Sequence, residues 1–594
     1  MIRTFLNRLR FLTRPIEGNE SFFIVFPSLL LPHTCLGFIR DALRSGFSTE
    51  FLADIGSISI PFLYSYISCV ILFITKLKTL KFVLYSISIS IFFINIYLRI
   101  SFGTLVSANI LLLIGETSPQ EIQDFIESFL LSRNTLTTIM ILFVVIGIII
   151  CIERYQERIT MLIPIKSHAL LLNTFIIVIG CGSIHLPIYL LPIRSASTNI
   201  LADYFRLANI GRPDYLTSFF HSVLYLKIAS QELSIAVETN KSLNNVTLSA
   251  DVTSPFVIGL VIGESSSKWH SNLYGYDLKT EPKLTKECQS GNLIVFDNVI
   301  SNYCHTSESL RTAMSCGEIG GIKQWFEKPY FPTLFAKAGY SVYFWDNQYN
   351  PASPANWDFT LNSYLHNQSI TQITYKKCNS NIFKYDGDLI EDFKRQTDLK
   401  FDTLSMIMFH LNGQHFNVDN RYPHNKIDVF NEMDIKRDDK YLTIDMKRHI
   451  ASYDNSIYYT DSLVSKIINY FRDKNAVLVY FSDHGEINYD FSEQIGRKVP
   501  IKQYTQEVVK YLYGIPFYIW CSDIFKELNI DTYFALCRNR HKPMTLDDLN
   551  QLLLHLGGVQ SEIVDSSRNV LSDSYRIKPR LIEGHLNYDD FFQE

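Results

Sequence analysis

Five stretches of roughly membrane-spanning length contain no Asp, Glu, Lys or Arg, and all fall in the first 200 of 594 residues: 21–39, 55–75, 82–98, 134–152 and 167–193. A helix needs about 20 apolar residues to cross a bilayer. The shortest stretch, 82–98, is flanked by Lys81 and Arg99, whose long stems can snorkel to the interface. A soluble amphipathic helix would show a polar face, which these stretches lack. A single cleaved leader does not produce five of them in a row.

Basic residues orient the spans. Arg3, Arg8, Arg10 and Arg14 precede the first, Lys76, Lys78 and Lys81 separate the second from the third, and Arg154, Arg158 and Lys166 separate the fourth from the fifth. The opposite loop, 100–133, carries Glu116, Glu121, Asp124 and Glu127. The N-terminus is therefore expected in the cytoplasm and everything after residue 194 outside, which in a Gram-negative-like envelope is the periplasm. The reading divides the chain into a transmembrane domain (1–194), a connector (195–250) and a soluble domain (251–594).

Composition agrees. Apolar types make up 47% and charged types 19%, which excludes a disordered chain. Net charge is −4 with no long basic run, so no nucleic-acid partner is expected. Cys35, Cys69, Cys151 and Cys181 lie in the apolar stretches and read as packing residues. The remaining six, Cys288, Cys304, Cys316, Cys378, Cys521 and Cys537, can be free buried thiols or, outside the cytoplasm, up to three disulfides. Cys304 and Cys316 are near neighbours in sequence and form the first pair to consider.

Beyond residue 255, short apolar runs alternate with amphipathic stretches, an α/β pattern. Strands are expected at 256–262, 341–345, 403–409, 476–481 and 516–520. Four of them are followed at once by chemistry-bearing residues: Glu264; Asp346, Asn347 and Gln348; His410 and His415 in H-L-N-G-Q-H; and Asp483 and His484 in S-D-H-G-E. Open parallel sheets bind ligands at the carboxyl ends of their strands, so these residues predict a metal or phosphate site. Glu264, Asp483 and His484 mix oxygen and nitrogen donors, which suits zinc better than calcium. A fourth donor is offered by the segment 302–310, where a helix is expected to begin near Thr306. The Thr306 hydroxyl reads equally as a metal-activated nucleophile or as an N-cap. His305, Ser307 and Thr312 are rivals for the role.

The ordered set G-E-S, Y-G-Y (274–276), T-E-P (280–282), H-T-S-E-S-L, Y-D-N-S-I-Y-Y-T-D (453–461) and S-D-H-G-E resembles the membrane-bound phosphoethanolamine transferases of the alkaline phosphatase and sulfatase superfamily. The resemblance implies an N-terminal five-helix transmembrane bundle in the bacterial inner membrane, joined to a periplasmic α/β alkaline phosphatase/sulfatase-like domain with a mostly parallel sheet. It implies that Glu264, Thr306, Asp483 and His484 hold a catalytic zinc, that Thr306 is the nucleophile, and that His415 lies near the transferred phosphate or a second zinc. His410, Asn347 and Gln348 match residues near the substrate. Cys304 and Cys316 match a disulfide that flanks the nucleophile in some members. Thr117 and Glu121 match a lipid-facing segment. The implied donor is phosphatidylethanolamine and the implied acceptor lipopolysaccharide, among membrane lipids.

Two departures matter. Lipid A-modifying members carry a further histidine about a dozen residues past D-H-G, where this chain reads Gln494-Ile495-Gly496-Arg497-Lys498. One zinc is therefore expected, a second is left open, and Arg497 can serve the phosphate instead. After the nucleophile this chain carries Arg311 and Thr312, which makes it more similar to relatives that modify core heptose than to those that modify lipid A. The competing reading is a membrane-anchored sulfatase or phosphatase on the same metal core, but no C/S-x-P-x-R motif stands at the Thr306 position.

Overall fold

The computed structural model describes residues 14–16, 19–31, 49–102, 132–155, 214–252, 254–349, 364–396, 403–497 and 504–593, with short pieces at 105–106, 110–111, 114 and 125–126. It divides into two compact units, Met1–Ile228 and Ala229–Glu594. The boundary thus falls inside the stretch expected as a connector.

In the first unit, helices α1 (Glu20–Leu30), α2 (Thr49–Thr75), α3 (Lys78–Phe102) and α4 (Arg133–Arg154) fall on four of the five apolar stretches. Among the described residues, two helices, Thr79–Ser101 and Arg133–Arg154, are long and apolar enough to cross a membrane, while Glu20–Leu30 and the described part of α2, Ser59–Thr75, are shorter apolar segments. At 1.5 Å per residue, 22 residues reach about 33 Å, enough for a hydrocarbon core of about 30 Å. The stretch 167–193, Thr117 and Glu121 lie outside the described residues. Large apolar side chains point outward, with Phe82 74% and Phe143 69% exposed, a surface suited to lipid rather than water. One carboxylate fastens three helices. Glu153 on α4 accepts from Ser21 Oγ on α1 (2.7 Å) and from Tyr85 OH on α3 (2.7 Å), and pairs with Lys81 Nζ on α3 at 2.6 Å. The start of α1, the start of α3 and the end of α4 therefore share one end of this unit.

The second unit is built on a seven-stranded sheet: β1 (Phe256–Gly263), β2 (Leu293–Phe296), β3 (Ser341–Asp346), β4 (Lys377–Cys378), β5 (Leu404–His410), β6 (Ala476–Ser482) and β7 (Phe517–Cys521), in the order β2-β7-β6-β1-β5-β3-β4. Only β7 runs against the rest. Every residue of β1, β5 and β6 is buried, as expected where both faces of a parallel sheet are covered. Alternate residues feed two cores. Ile258, Leu260, Met406, Met408, Val477 and Val479 pack on one face, and Val257, Val261, Ile407, Phe409, Leu478 and Tyr480 on the other. The five expected strands are present. The two additional strands, β2 and β4, are too short for a period-2 signal.

Register then aligns the strand ends. Gly263 pairs with Ser482, and His410 with both Ile262 and Asp346. The residues that follow β1, β3, β5 and β6 emerge side by side at one edge.

The long helix α6 (Ile444–Phe471) carries the Y-D-N-S-I-Y-Y-T-D segment and steadies the loop after β1. Tyr453 OH donates to Ser265 O at 2.6 Å and accepts from Ser267 N at 2.7 Å. Asn455 Oδ1 accepts from Val429 N and Phe430 N. Asp461 accepts from Lys283 N and Leu284 N. His270 lies fully buried between two acids, with Nδ1 2.7 Å from Asp454 and Nε2 3.0 Å from Asp490. Burial works to lower its pKa, but the charges of Asp454 and Asp490 outweigh it and push it up to about 10.

Because this folded value lies above the unfolded one of about 6.5, the imidazolium contributes its full stability below pH 6.5 and loses it as pH rises through about 10, at about 1.4 kcal/mol per pH unit. The melting temperature of the full chain in detergent is expected to fall across that window. The fall should be shallower in His270→Gln, which should itself be less stable by about 3 kcal/mol at pH 6.5. Equal slopes in the two chains would show that His270 is neutral in the fold.

Candidate functional site

Glu264 follows β1, and Asp483 and His484 follow β6; all three are fully buried. Their ligand atoms lie within 4.8 Å of one another. The turn after Glu264 needs Ser265 in left-handed backbone (φ +54°), a conformation that costs a non-glycine residue about 1 kcal/mol. Three bonds hold it there. Ser265 N donates to Asp483 Oδ1 at 3.0 Å, Ser265 Oγ donates to Glu264 Oε1 at 2.7 Å, and Ser265 O receives the Tyr453 hydroxyl.

The histidine tautomer follows from its neighbours. His484 Nδ1 is 2.8 Å from Gly485 O, which can only accept, so Nδ1 carries the hydrogen. Arg497 Nη1, which can only donate, stands 2.5 Å from Nε2. The imidazole is thus neutral with its lone pair on Nε2. Burial and the Arg497 charge bring its pKa down to about 4. Nε2 lies 3.1 Å from Asp483 Oδ2 and 3.4 Å from Glu264 Oε1.

The two carboxylates diverge. Burial pushes Asp483 well above the usual range, and the Glu264 charge adds to it. Burial acts on Glu264 as well, but the nearby His415 and Arg497 work against it and hold that carboxyl low. Asp483 Oδ2 is buried without a hydrogen-bond partner. Keeping this carboxyl ionised with that oxygen unpaired would cost several kcal/mol (roughly) unless a cation answers it. An orphaned carboxylate oxygen, a second carboxylate and an imidazole lone pair converging on one point fit a divalent metal with mixed oxygen and nitrogen ligands.

Thr306 is the first residue of helix α5 (Thr306–Met314). The N-cap is His305, in extended backbone and making no side-chain cap bond, so the N-cap reading of Thr306 is corrected. Its hydroxyl points instead to the acids, donating to Glu264 Oε2 at 3.1 Å with Oε1 at 3.3 Å and His484 Nε2 at 3.4 Å. Two of the rivals do other things: His305 is exposed, and Thr312 returns its hydroxyl to Glu308 O; Ser307 is buried. Ser309 Oγ pins the helix to Asp483 O at 2.5 Å.

The glycine of H-L-N-G-Q-H has a steric cause. Gly413 sits at φ +47°, and a Cβ there would stand 2.8 Å from Glu264 O and 2.9 Å from Glu264 N. The glycine of S-D-H-G-E is equally constrained, since a Cβ on Gly485 would lie 2.0 Å from Tyr511 O. Half-buried His415 follows this close approach and is one of the charges acting on Glu264.

Gln348 Nε2 donates to Glu264 Oε2 at 3.0 Å and to Leu411 O at 2.9 Å, which places it directly behind a metal-ligand candidate. Asn347 is committed to the protein. Its amide donates to Asp386 Oδ1 at 2.8 Å and accepts from Phe383 N at 2.6 Å. His410 is buried with Nδ1 3.1 Å from Asp346 Oδ1, and Asp346 also takes His366 Nε2 at 2.9 Å. Despite burial, the two histidines hold Asp346 below the usual carboxylate range. Arg497 also donates to Cys304 O at 3.2 Å and pairs with Glu486 at 3.3 Å.

The expected Cys304–Cys316 disulfide is not formed. Both are free, buried thiols, as is every cysteine recorded among the described residues in being unpaired. The nine residues of α5 stand between them, a rise of about 13 Å, whereas bridged Cα atoms must approach within about 7 Å. Cys304 packs near Val508 and Tyr513, and Cys316 near Leu310 and Tyr330 in the main core.

A profile of the sulfatase family matches residues 257–559, just over half of the chain. The chain is 26% identical over 341 residues to phosphoethanolamine transferase EptC of Escherichia coli strain K12, covering 55% of each chain. It is 29% identical over 278 residues to phosphoethanolamine transferase EptA of Helicobacter pylori, covering 46% of this chain and 49% of the relative. It spans about half the length of the curated relatives it matches. Among solved structures, the C-terminal periplasmic domain of EptC from Escherichia coli aligns with a TM-score of 0.50 at 25% identity, covering 58% of this chain and 96% of that one. The integral membrane protein lipooligosaccharide phosphoethanolamine transferase A from Neisseria meningitidis shares the fold over 93% of this chain and 97% of its own, with a TM-score of 0.59 at 16% identity. The chain belongs to the sulfatase family, and the members it is similar to include phosphoethanolamine transferases.

Proposed function

We propose that this protein moves phosphoethanolamine from phosphatidylethanolamine to a lipopolysaccharide acceptor through an adduct on Thr306. The observation that carries the reading is the Thr306 hydroxyl, aimed from the first turn of α5 at Glu264 and His484 instead of capping its own helix. The similarity to phosphoethanolamine transferases EptC and EptA suggests the transferred group. Another relative, the Kdo(2)-lipid A phosphoethanolamine 7''-transferase of Escherichia coli, is 26% identical over 272 residues. Core heptose or its phosphate is the acceptor favoured here, and lipid A is its rival.

Glu264, Asp483, His484 and Thr306 would hold one Zn2+, which when bound supplies the positive charge that favours the alkoxide of Thr306 and neutralises a phosphate oxygen. In the first half-reaction Thr306 Oγ1 attacks phosphorus, the bond from phosphorus to the diacylglycerol oxygen breaks, and diacylglycerol leaves with a proton. In the second, an acceptor oxygen attacks in line, the Thr306 ester bond breaks, and Thr306 regains its proton. His415 and Arg497 hold the other phosphate oxygens. His415 is also the group placed to pass a proton to or from the exchanging oxygens. Gln348 keeps Glu264 in position. His410 and Asn347 support the wall behind it, while Thr117 and Glu121 meet the lipid. Residues 1–194 form the five-span inner-membrane part and 251–594 the periplasmic catalytic domain.

Metal analysis of the purified full chain is expected to find close to one zinc per protein, and Glu264→Ala and Asp483→Ala each to lose both metal and transfer. Full activity in a metal-free preparation would contradict the assignment.

Thr306→Ala is expected to fold normally, since no cap bond is lost and even a cap is worth only about 1 kcal/mol, yet to lose transfer by orders of magnitude. Thr306→Ser should keep part of it. Mass spectrometry of wild-type protein incubated with phosphatidylethanolamine should find the adduct on Thr306. Normal diacylglycerol release by the alanine variant would remove Thr306 from the mechanism. Lipopolysaccharide from cells with and without the protein identifies the acceptor sugar.

Reporter fusions after Arg158 and after Leu201 should report opposite sides of the membrane. The same side for both would mean a different number of spans.

A further inference from the structure

Two residues ahead of Thr306, Cys304 sits in a polar knot that the transfer chemistry does not use. Its backbone N–H donates to Glu583 Oε1 at 3.4 Å, and its thiol lies 3.5 Å from the same oxygen. Tyr513 OH donates to that oxygen at 2.6 Å, and Tyr504 OH stands 2.9 Å from Tyr513 OH. Glu583 arrives from 279 positions downstream, at the tip of a hairpin whose strands are Leu581–Ile582 and Leu586–Asn587. The hairpin backbone clasps the same loop. Glu583 N donates to Asn302 O at 2.9 Å, and Asn302 Nδ2 donates to Leu581 O at 2.9 Å.

Glu583 occupies left-handed backbone (φ +49°) beside Gly584 (φ +73°). Glycine would accept that conformation freely, whereas a glutamate there is strained by about 1 kcal/mol. The strain is held by the bonds its side chain makes, and every one of them ends on the loop that leads into α5 or on a tyrosine beside it. Arg497, which donates to Cys304 O and to His484, ties the same loop to the metal-ligand candidates.

We propose that Glu583 is a positioning residue for Thr306: the hairpin tip fixes the 302–305 loop so that α5 begins where the Thr306 hydroxyl meets Glu264 and His484. Hydrogen bonds thus do what a covalent cross-link at Cys304 was expected to do. The inference rests on Thr306 being the nucleophile. Because all three donors converge on Oε1, the clasp needs an acceptor at that reach rather than a negative charge.

The test uses the full chain in detergent and reads two quantities: diacylglycerol release from phosphatidylethanolamine, and maleimide labelling of Cys304 by peptide mass mapping, with exposed Cys288 as internal reference. In Glu583→Ala, kcat is expected to fall about tenfold or more, since a misplacement of about 1 Å can cost far more than that. KM should stay within about twofold because the lipid contacts are elsewhere, and Cys304 should label faster relative to Cys288. Glu583→Gln keeps an acceptor oxygen and should restore both readouts. Glu583→Asp keeps the charge, loses one methylene of reach, and should fail as alanine does; it also serves if the alanine chain does not fold. Unchanged kcat and labelling in the alanine and aspartate chains would overturn the proposal, as would a glutamine chain no better than aspartate. Absence of diacylglycerol release from the wild type would defeat the transferase reading, and the labelling pattern would still support or overturn the clasp.

Discussion

Two carboxylates buried together at the ends of adjacent parallel strands govern the organisation of the second unit. The register that pairs Gly263 with Ser482 delivers Glu264 and Asp483 to the same point, out of reach of water. Isolated carboxylates in such a place would take up protons or reject the fold. Here donors are arranged around them. Asp483 Oδ1 receives Ser265 N and His484 N, and Glu264 receives Ser265 Oγ, Gln348 Nε2 and the Thr306 hydroxyl. One oxygen, Asp483 Oδ2, receives no hydrogen bond. The left-handed Ser265, the Cβ-free approach of Gly413 to Glu264 and the neutral tautomer of His484 follow from holding these two groups together, and together they leave one vertex facing a cation.

A second layer keeps that arrangement rigid from a distance. Helix α6 presents Tyr453 to the Ser265 turn and Asp454 to His270. His270 reaches on to Asp490 in the segment that brings in Arg497. The residues of this layer touch neither the metal-ligand atoms nor Thr306. Tyr453 and Asp454 stand side by side in the Y-D-N-S-I-Y-Y-T-D stretch because a helix repeats every 3.6 residues, so neighbouring positions serve different loops on different sides.

How much of this the sequence disclosed depended on whether a signal was local. Strands buried on both faces are continuous apolar runs, so β1, β3, β5, β6 and β7 were legible, and so was the edge at which their trailing residues meet. Edge strands of two to four residues, β2 and β4, offer no period to read. The two roles open to Thr306 differ by one position along a helix start, and only the extended backbone of His305 decides between them. The disulfide expectation failed because nearness in sequence is not nearness in space once a helix stands between two residues. Apolar composition marked the membrane-type helices, and α1 to α4 fall on four of the five apolar stretches. Glu583 could not be found from the sequence at all. A lone glutamate 279 positions from its partner carries no pattern.

These differences bear on where adjustment is possible in the site. Glu264, Asp483 and His484 leave the sheet within two residues of its strands and inherit its rigidity. Thr306 does not. It opens a helix that follows a loop, and the in-line exchange at phosphorus proposed for it would demand that its oxygen be placed to within a fraction of an ångström in both half-reactions. The loop is therefore where positional freedom remains, and where restraints are concentrated: Ser309 on Asp483 O, Arg497 on Cys304 O, and the Glu583 hairpin on Asn302 and Cys304. A disulfide would fix one distance in that loop. Hydrogen bonds from three directions fix its orientation as well, and for Thr306 as the proposed nucleophile, which would meet two successive partners along one line, orientation is the stricter requirement.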